Sequence, residues 1–108
     1  MSGTVLQVNF KLNVSPAEYE NTVTPMADAI AAVEGLRWKV WVLNQEEREA
    51  GGVYLFEDEP SCAAFLAGPL AAALKSAPFL RELSVKRFEV MSEVTEVTRG
   101  PVSERAKL

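Results

Sequence analysis

Two runs in the middle of the chain, LRWKVWVL at Leu36–Leu43 and GVYLF at Gly52–Phe56, are apolar on both sides when read with the two-residue period of a strand. In the first, Leu36, Trp38, Val40 and Val42 alternate with Arg37, Lys39, Trp41 and Leu43; in the second, Val53 and Leu55 alternate with Tyr54 and Phe56. Both runs are rich in β-branched and aromatic residues and too short for buried helices, so they read as strands. A sheet built from them cannot leave either face in water without exposing an apolar patch larger than monomers carry. The fold must therefore supply two covers.

The remaining segments supply one. TVLQVNFKL at Thr4–Leu12 alternates, with Leu6, Val8, Phe10 and Leu12 on one side and Gln7, Asn9 and Lys11 on the other. Ser15, Pro16 and Glu18 form a helix start with a capping box. An apolar stripe follows at Tyr19, Val23, Met26, Ala27, Ile30 and Val33. Pro25 predicts a kink, or a restart capped by Thr24, and Gly35 predicts the stop. NQEEREAGG turns the chain between the two central strands, and Asp58, Glu59 and Pro60 open a second helix that Gly68 and Pro69 break in two. LSVKRFEVM at Leu83–Met91 reads as the last strand.

The order strand, helix, strand, strand, helix, strand predicts an α+β, ferredoxin-like split βαβ fold, a four-stranded antiparallel sheet with both helices on one face. The second cover is then expected from another copy, two sheets facing each other in a homodimer. With 108 residues the chain is expected to form one domain over residues 1–92 and a C-terminal tail over 93–108.

Composition removes several function classes. A formal charge of −4, with lysine and arginine not gathered into a run, lacks the electrostatic footprint that nucleic acid rewards. No long apolar stretch follows a basic start, so neither a signal peptide nor a membrane span is expected, and the cytoplasm is the expected compartment. The chain has no histidine, which removes histidine triads and histidine-ligated metal or haem. The single Cys62 cannot form an internal disulfide and reads as a small core residue of the second helix.

The run Trp38-Lys-Val-Trp41, then Glu49-Ala-Gly-Gly-Val-Tyr-Leu-Phe56 and Asp58, resembles the signature region of the YdhR-type mono-oxygenases, members of the dimeric α+β barrel superfamily. The resemblance is close from Gly35 to Asp58 and weaker over the rest of the chain. It implies a homodimer whose sheets form a barrel, a pocket between sheet and helices in each subunit, and oxidation of an aromatic or polyketide-like substrate by O2 without a cofactor. Superfamily relatives that degrade haem use an Asn on the first strand, a Trp late in the third and a His on the second helix. Asn9 matches the first position, Phe56 stands at the second, and no His exists for the third, so haem is not expected.

Such chemistry needs an apolar pocket, a group that favours the substrate's enolate or phenolate, and shelter from water. Asn9, Arg37, Trp41 and Tyr54 are the candidate catalytic residues: Asn9 to hydrogen-bond a substrate oxygen, Arg37 to stabilise an oxyanion, Tyr54 to donate its hydroxyl. Trp38, Lys39, Glu49, Phe56 and Phe65 are candidate substrate contacts, with Lys39 a second oxyanion partner and Glu49 a base if buried. Each has an ordinary structural reading beside it: a solvated sheet position for Asn9, surface ion pairs for Arg37, Lys39 and Glu49, packing for the aromatics. On a strand Trp38 and Trp41 point to opposite faces, so they cannot be two walls of one site. Trp41, sharing its side with Arg37 and Lys39, is the expected pocket residue, and Trp38 the expected dimer residue. A non-redox isomerase or cyclase, or a non-catalytic binder of a small apolar ligand, would use the same pocket. Gly51 and Gly52 are expected to serve the backbone or to let a large cross-strand side chain lie over the chain.

Overall fold

A computed structural model describes residues 3–102. Strand β1, Thr4–Leu12, lies inside a four-stranded sheet with β2, Leu36–Asn44, β3, Glu49–Phe56, and β4, Leu80–Glu89, in the order β2-β3-β1-β4. Every neighbouring pair is antiparallel. Helices α1, Pro16–Val23, α2, Ala27–Ala31, α3, Glu59–Leu66, and α4, Pro69–Lys75, form the two crossovers. The ferredoxin-like α+β fold expected from the element order is the fold observed.

Local chemistry sets the boundaries. Ser15 accepts from the Glu18 backbone N–H while the Glu18 carboxylate accepts from that of Ser15, a complete capping box. Pro25 does kink the helix, through a 3₁₀ turn at Thr24–Met26. Thr24 does not cap the restart; its hydroxyl turns back and donates to the Glu20 carbonyl. Gly35 stops the segment with φ +83°, and Asp58 caps α3 by accepting from the Ser61 N–H at 2.9 Å.

Two strands start three residues earlier than their sequence pattern suggests, because β1 templates them. Lys11 pairs with Glu49 and Leu12 with Leu80, so both neighbours are zipped to the end of the central strand. The hairpin turn shrinks accordingly, with Arg48 at φ 52° and the Glu47 N–H held by the Asn44 side chain. β4 ends at Glu89 instead of Met91. Beyond it the chain forms α5, Ser92–Val97, and returns to the sheet, where the Trp38 indole N–H donates to the Pro101 carbonyl at 2.9 Å.

The faces divide cleanly. Leu6, Val8, Phe10 and Leu12 of β1 are buried under the helices together with Tyr19, Ile30, Tyr54, Phe56 and Cys62. Burial in this core raises the Cys62 thiol's pKa, with Glu59 adding to the effect and Arg87 opposing it, so the thiol stays protonated and inert. Leu36 departs from strict alternation. It pairs with Phe56 and packs on the core, whereas Trp38 pairs with Leu55, so Arg37 is the extra residue of a bulge that turns the strand over. The opposite sheet face carries Trp38, Val40 and Val42 beside Val53, Leu55 and Val5, and Val40 and Phe88 are 52% and 48% exposed.

Candidate active site

Register decides which side chains meet. Lys39 pairs with Tyr54, and Tyr54 with Leu6, which is buried on the helix side; Trp41, Gly52 and Val8 follow one step along on that same side. Gly52 leaves a gap that the Lys39 stem fills: a Cβ there would stand 2.5 Å from Lys39 Cε. The lysine is thus the large cross-strand side chain that the second glycine accommodates. Its ammonium comes to rest 3.3 Å from the Trp41 ring centroid and 4.5 Å from that of Tyr54. Among the described residues no carboxylate forms an ion pair with it. Burial without a counter-charge holds its pKa down to about 8.

Lys39 forms part of the wall of an apolar cavity of about 30 Å³ between sheet and helices. Two aromatic groups define it. Phe10, Tyr19 and Phe79 meet edge-on or tilted at 5.7 to 6.1 Å, and Tyr54 packs against Phe65 at 5.3 Å and stacks along its strand on Phe56 at 6.1 Å. Burial raises both phenol pKa values, and Tyr19 adds to the rise at Tyr54; both residues line the cavity. Neither phenol donates to a protein acceptor among the described residues. The polar equipment of the cavity is therefore one ammonium and two protonated phenols in a hydrocarbon wall.

The space suits about one water molecule. A ring-sized ligand needs more room, and a groove of about 340 Å³ between α1 and the outer end of β2 adjoins it. Tyr19, Val23 and Trp41 line both spaces and so form the partition between cavity and groove.

Of the candidates read from sequence, the structure brings together Lys39, Trp41, Tyr54 and Phe65. Phe56 lies behind them, fully buried. Arg37 is the bulge residue, outside the cavity wall. Asn9, Trp38 and Glu49 belong to the opposite face: Asn9 accepts from the Gln7 amide at 3.1 Å, Glu49 pairs with Lys11 at 3.3 Å, and Trp38 holds Pro101. Tyr19 is the residue that sequence reasoning missed as a site group. Its place in the apolar stripe of α1 hides it, and the only signal was a hydroxyl where leucine would pack as well.

The two tryptophans should fail differently on substitution. Trp38→Ala is expected to loosen the segment after β4, costing about 1 kcal/mol for the lost hydrogen bond and speeding amide exchange at Val90–Val102. Trp41→Ala should leave that segment protected and instead open the cavity to the groove. Equal exchange in both variants would contradict this assignment.

Residues 5–101 match the family described as "Putative mono-oxygenase ydhR". The chain belongs to that family. No curated protein matches it in sequence. Among solved structures the YdhR-family chain is similar to SnoaB, a cofactor-independent oxygenase from Streptomyces nogalater, at 18% identity, covering 83% of this chain and 94% of that one with a TM-score of 0.66. It is also similar to the monooxygenase ActVA-Orf6 of Streptomyces coelicolor, solved with the ligand nanaomycin D, at 21% identity, covering 82% and 88% with a TM-score of 0.64. A dimeric ferredoxin-like protein of unknown function from Thermobifida fusca matches at 21% identity, covering 82% and 92% with a TM-score of 0.66. These likenesses concern the fold. Family membership places the chain among proteins of mono-oxygenase type.

Proposed function

We propose that this protein is a cofactor-independent mono-oxygenase that oxidises a small aromatic or polyketide-like molecule with O2 in the cavity between sheet and helices. The observation that carries the reading is the convergence of Lys39, Tyr19 and Tyr54 in an otherwise hydrocarbon cavity, in a chain of the YdhR family. An acidic C–H of the substrate loses its proton, and the carbanion, delocalised onto a neighbouring oxygen, is stabilised by donors in a dry site. O2 takes one electron from it, the radicals combine into a C–O bond, and the peroxide loses its O–O bond and the second C–H proton. The products are a new C=O and one water, so both oxygen atoms and all four electrons are accounted for. The protein has only to acidify the substrate and exclude bulk water.

An oxygen electrode with anthrone-type substrates tests this. One O2 consumed per quinone formed is expected, unaffected by chelators. Turnover of the enolate with no oxygen uptake would instead make the same proton-transfer groups those of an isomerase or cyclase, and saturable binding without turnover would make the protein a carrier.

We further propose that the working unit is a homodimer in the cytoplasm. Val40 and Phe88 are about half exposed on a sheet face that also carries Val42 and Trp38, and burying such a face at roughly 25 cal/mol per Å² is a strong drive for association. The fold-level likeness to a dimeric ferredoxin-like protein supports the same reading, and a single buried thiol fits a reducing compartment. Light scattering at micromolar concentration should give twice the 11.8 kDa chain mass, and Val40→Asp should halve it. A monomer in both samples would remove the dimer.

A further inference from the structure

The cavity contains a cation, and among the described residues no charge neutralises it. Lys39 leaves β2 on the helix side, fills the gap over Gly52, and rests its ammonium on the faces of Trp41 and Tyr54. Of the other groups in the cavity wall only Tyr19 on α1 and Tyr54 on β3 titrate, and both are protonated phenols; the lining residues of β1, α2, α3 and α4 bear no charge. Glu20 on α1 stands outside, in the adjoining groove. Aromatic faces are weak counter-charges, and an apolar wall penalises an unpaired ammonium.

We propose that Lys39 is the counter-ion of the ligand, so that the cavity selects planar phenols or enolised carbonyl compounds in their monoanionic form, with the anionic oxygen replacing the Trp41 ring as partner of the ammonium. The inference rests on the cavity being the site, and it names the acid–base form the site takes. The proton balance is simple. The ligand O–H breaks with its electron pair left on oxygen, and the proton passes to the neutral form of the Lys39 amine, giving an ammonium–phenolate pair. Burial, which depresses the free lysine, makes that neutral form accessible near pH 8. Tyr19 and Tyr54 remain protonated.

The probe is 4-nitrophenol, whose colour reports its ionisation. Titrated with excess wild-type protein, the bound dye is expected to ionise at least one pH unit below the free dye, a tenfold or larger preference for the anion. In Lys39→Met, which removes a buried charge and should fold at least as well, the bound dye should ionise at or above the pH of the free dye. A wild-type shift that survives in Lys39→Met, a wild-type preference for the neutral phenol, or no saturable binding of either form would each overturn the proposal. Oxygen uptake reports separately on the redox reading. Anion preference without oxygen consumption keeps the counter-ion and removes the oxygenase, whereas oxygen consumption with equal kcat/KM in wild type and Lys39→Met does the reverse.

Discussion

Gly51→Ala is expected to destabilise the protein by more than about 3 kcal/mol, whereas Gly52→Ala, one residue on, should cost about 1 kcal/mol or less. A Cβ at Gly51 would collide with the Val8 carbonyl oxygen and crowd Asn9 Cα, both backbone. Gly51 faces Asn9 in the β1–β3 ladder, and β1 is pinned from its other side by β4. The central strand has no direction in which to retreat, so the ladder hydrogen bonds or the register must give. At Gly52 the obstacle is the Lys39 Cε, near the free end of a flexible side chain that can shift aside. Urea midpoints compare the two variants directly, since a conserved m-value makes the midpoint shift a stability difference. Similar midpoints would mean that the β1–β3 approach is looser than described.

These two glycines also show what the sequence could and could not disclose. The capping box at Ser15, the break at Pro25, the stop at Gly35 and the Asp58 cap depend on residues within a few positions of one another, and the pattern alone located them. The element order then left one architecture. What escaped depended on partners distant in sequence. The early starts of β3 and β4 follow from the reach of β1, and the bulge at Arg37, which carries Leu36 onto the core side, is a property of the β2–β3 register. Site reading divides the same way. Alternation put Trp41 and Lys39 on one face and Trp38 on the other, and the register agrees from residue 38 onward. Asn9 is a candidate by residue type, but alternation sets it opposite Val8 and Phe10, away from a helix-side pocket. Tyr19 reaches the cavity that Tyr54 lines through tertiary packing of its ring on Phe10 and Phe79, which no local pattern in α1 discloses.

Lys39→Met should raise stability at pH 7 by roughly 1 to 3 kcal/mol, with the gain disappearing in alkali. The folded protein holds Lys39 near pKa 8, below its ordinary 10.5, because burial penalises the ammonium. Below pH 8 both folded and unfolded chains carry the proton, and the folded state bears the full penalty. Between pH 8 and 10.5 the folded lysine gives up its proton while the unfolded one keeps it, so wild-type stability climbs with pH; above 10.5 neither is charged and the penalty is gone. Tyr19 and Tyr54 act with the opposite sign, since burial keeps them protonated where the unfolded phenols ionise, and stability falls as pH passes 10. Subtracting the two proteins' stability curves cancels the tyrosines and isolates Lys39. The full electrostatic penalty is discounted because Lys39 is only partly buried and because methionine forfeits the cation–π contacts. Denaturation at pH 7, 9 and 11 should show a difference that is largest at 7 and near zero at 11. A flat difference would mean that the ammonium is solvated, and a less stable Met variant at pH 7 that the aromatic faces outweigh burial. A stability gain joined to loss of turnover is the pattern of a group retained for chemistry at the expense of the fold.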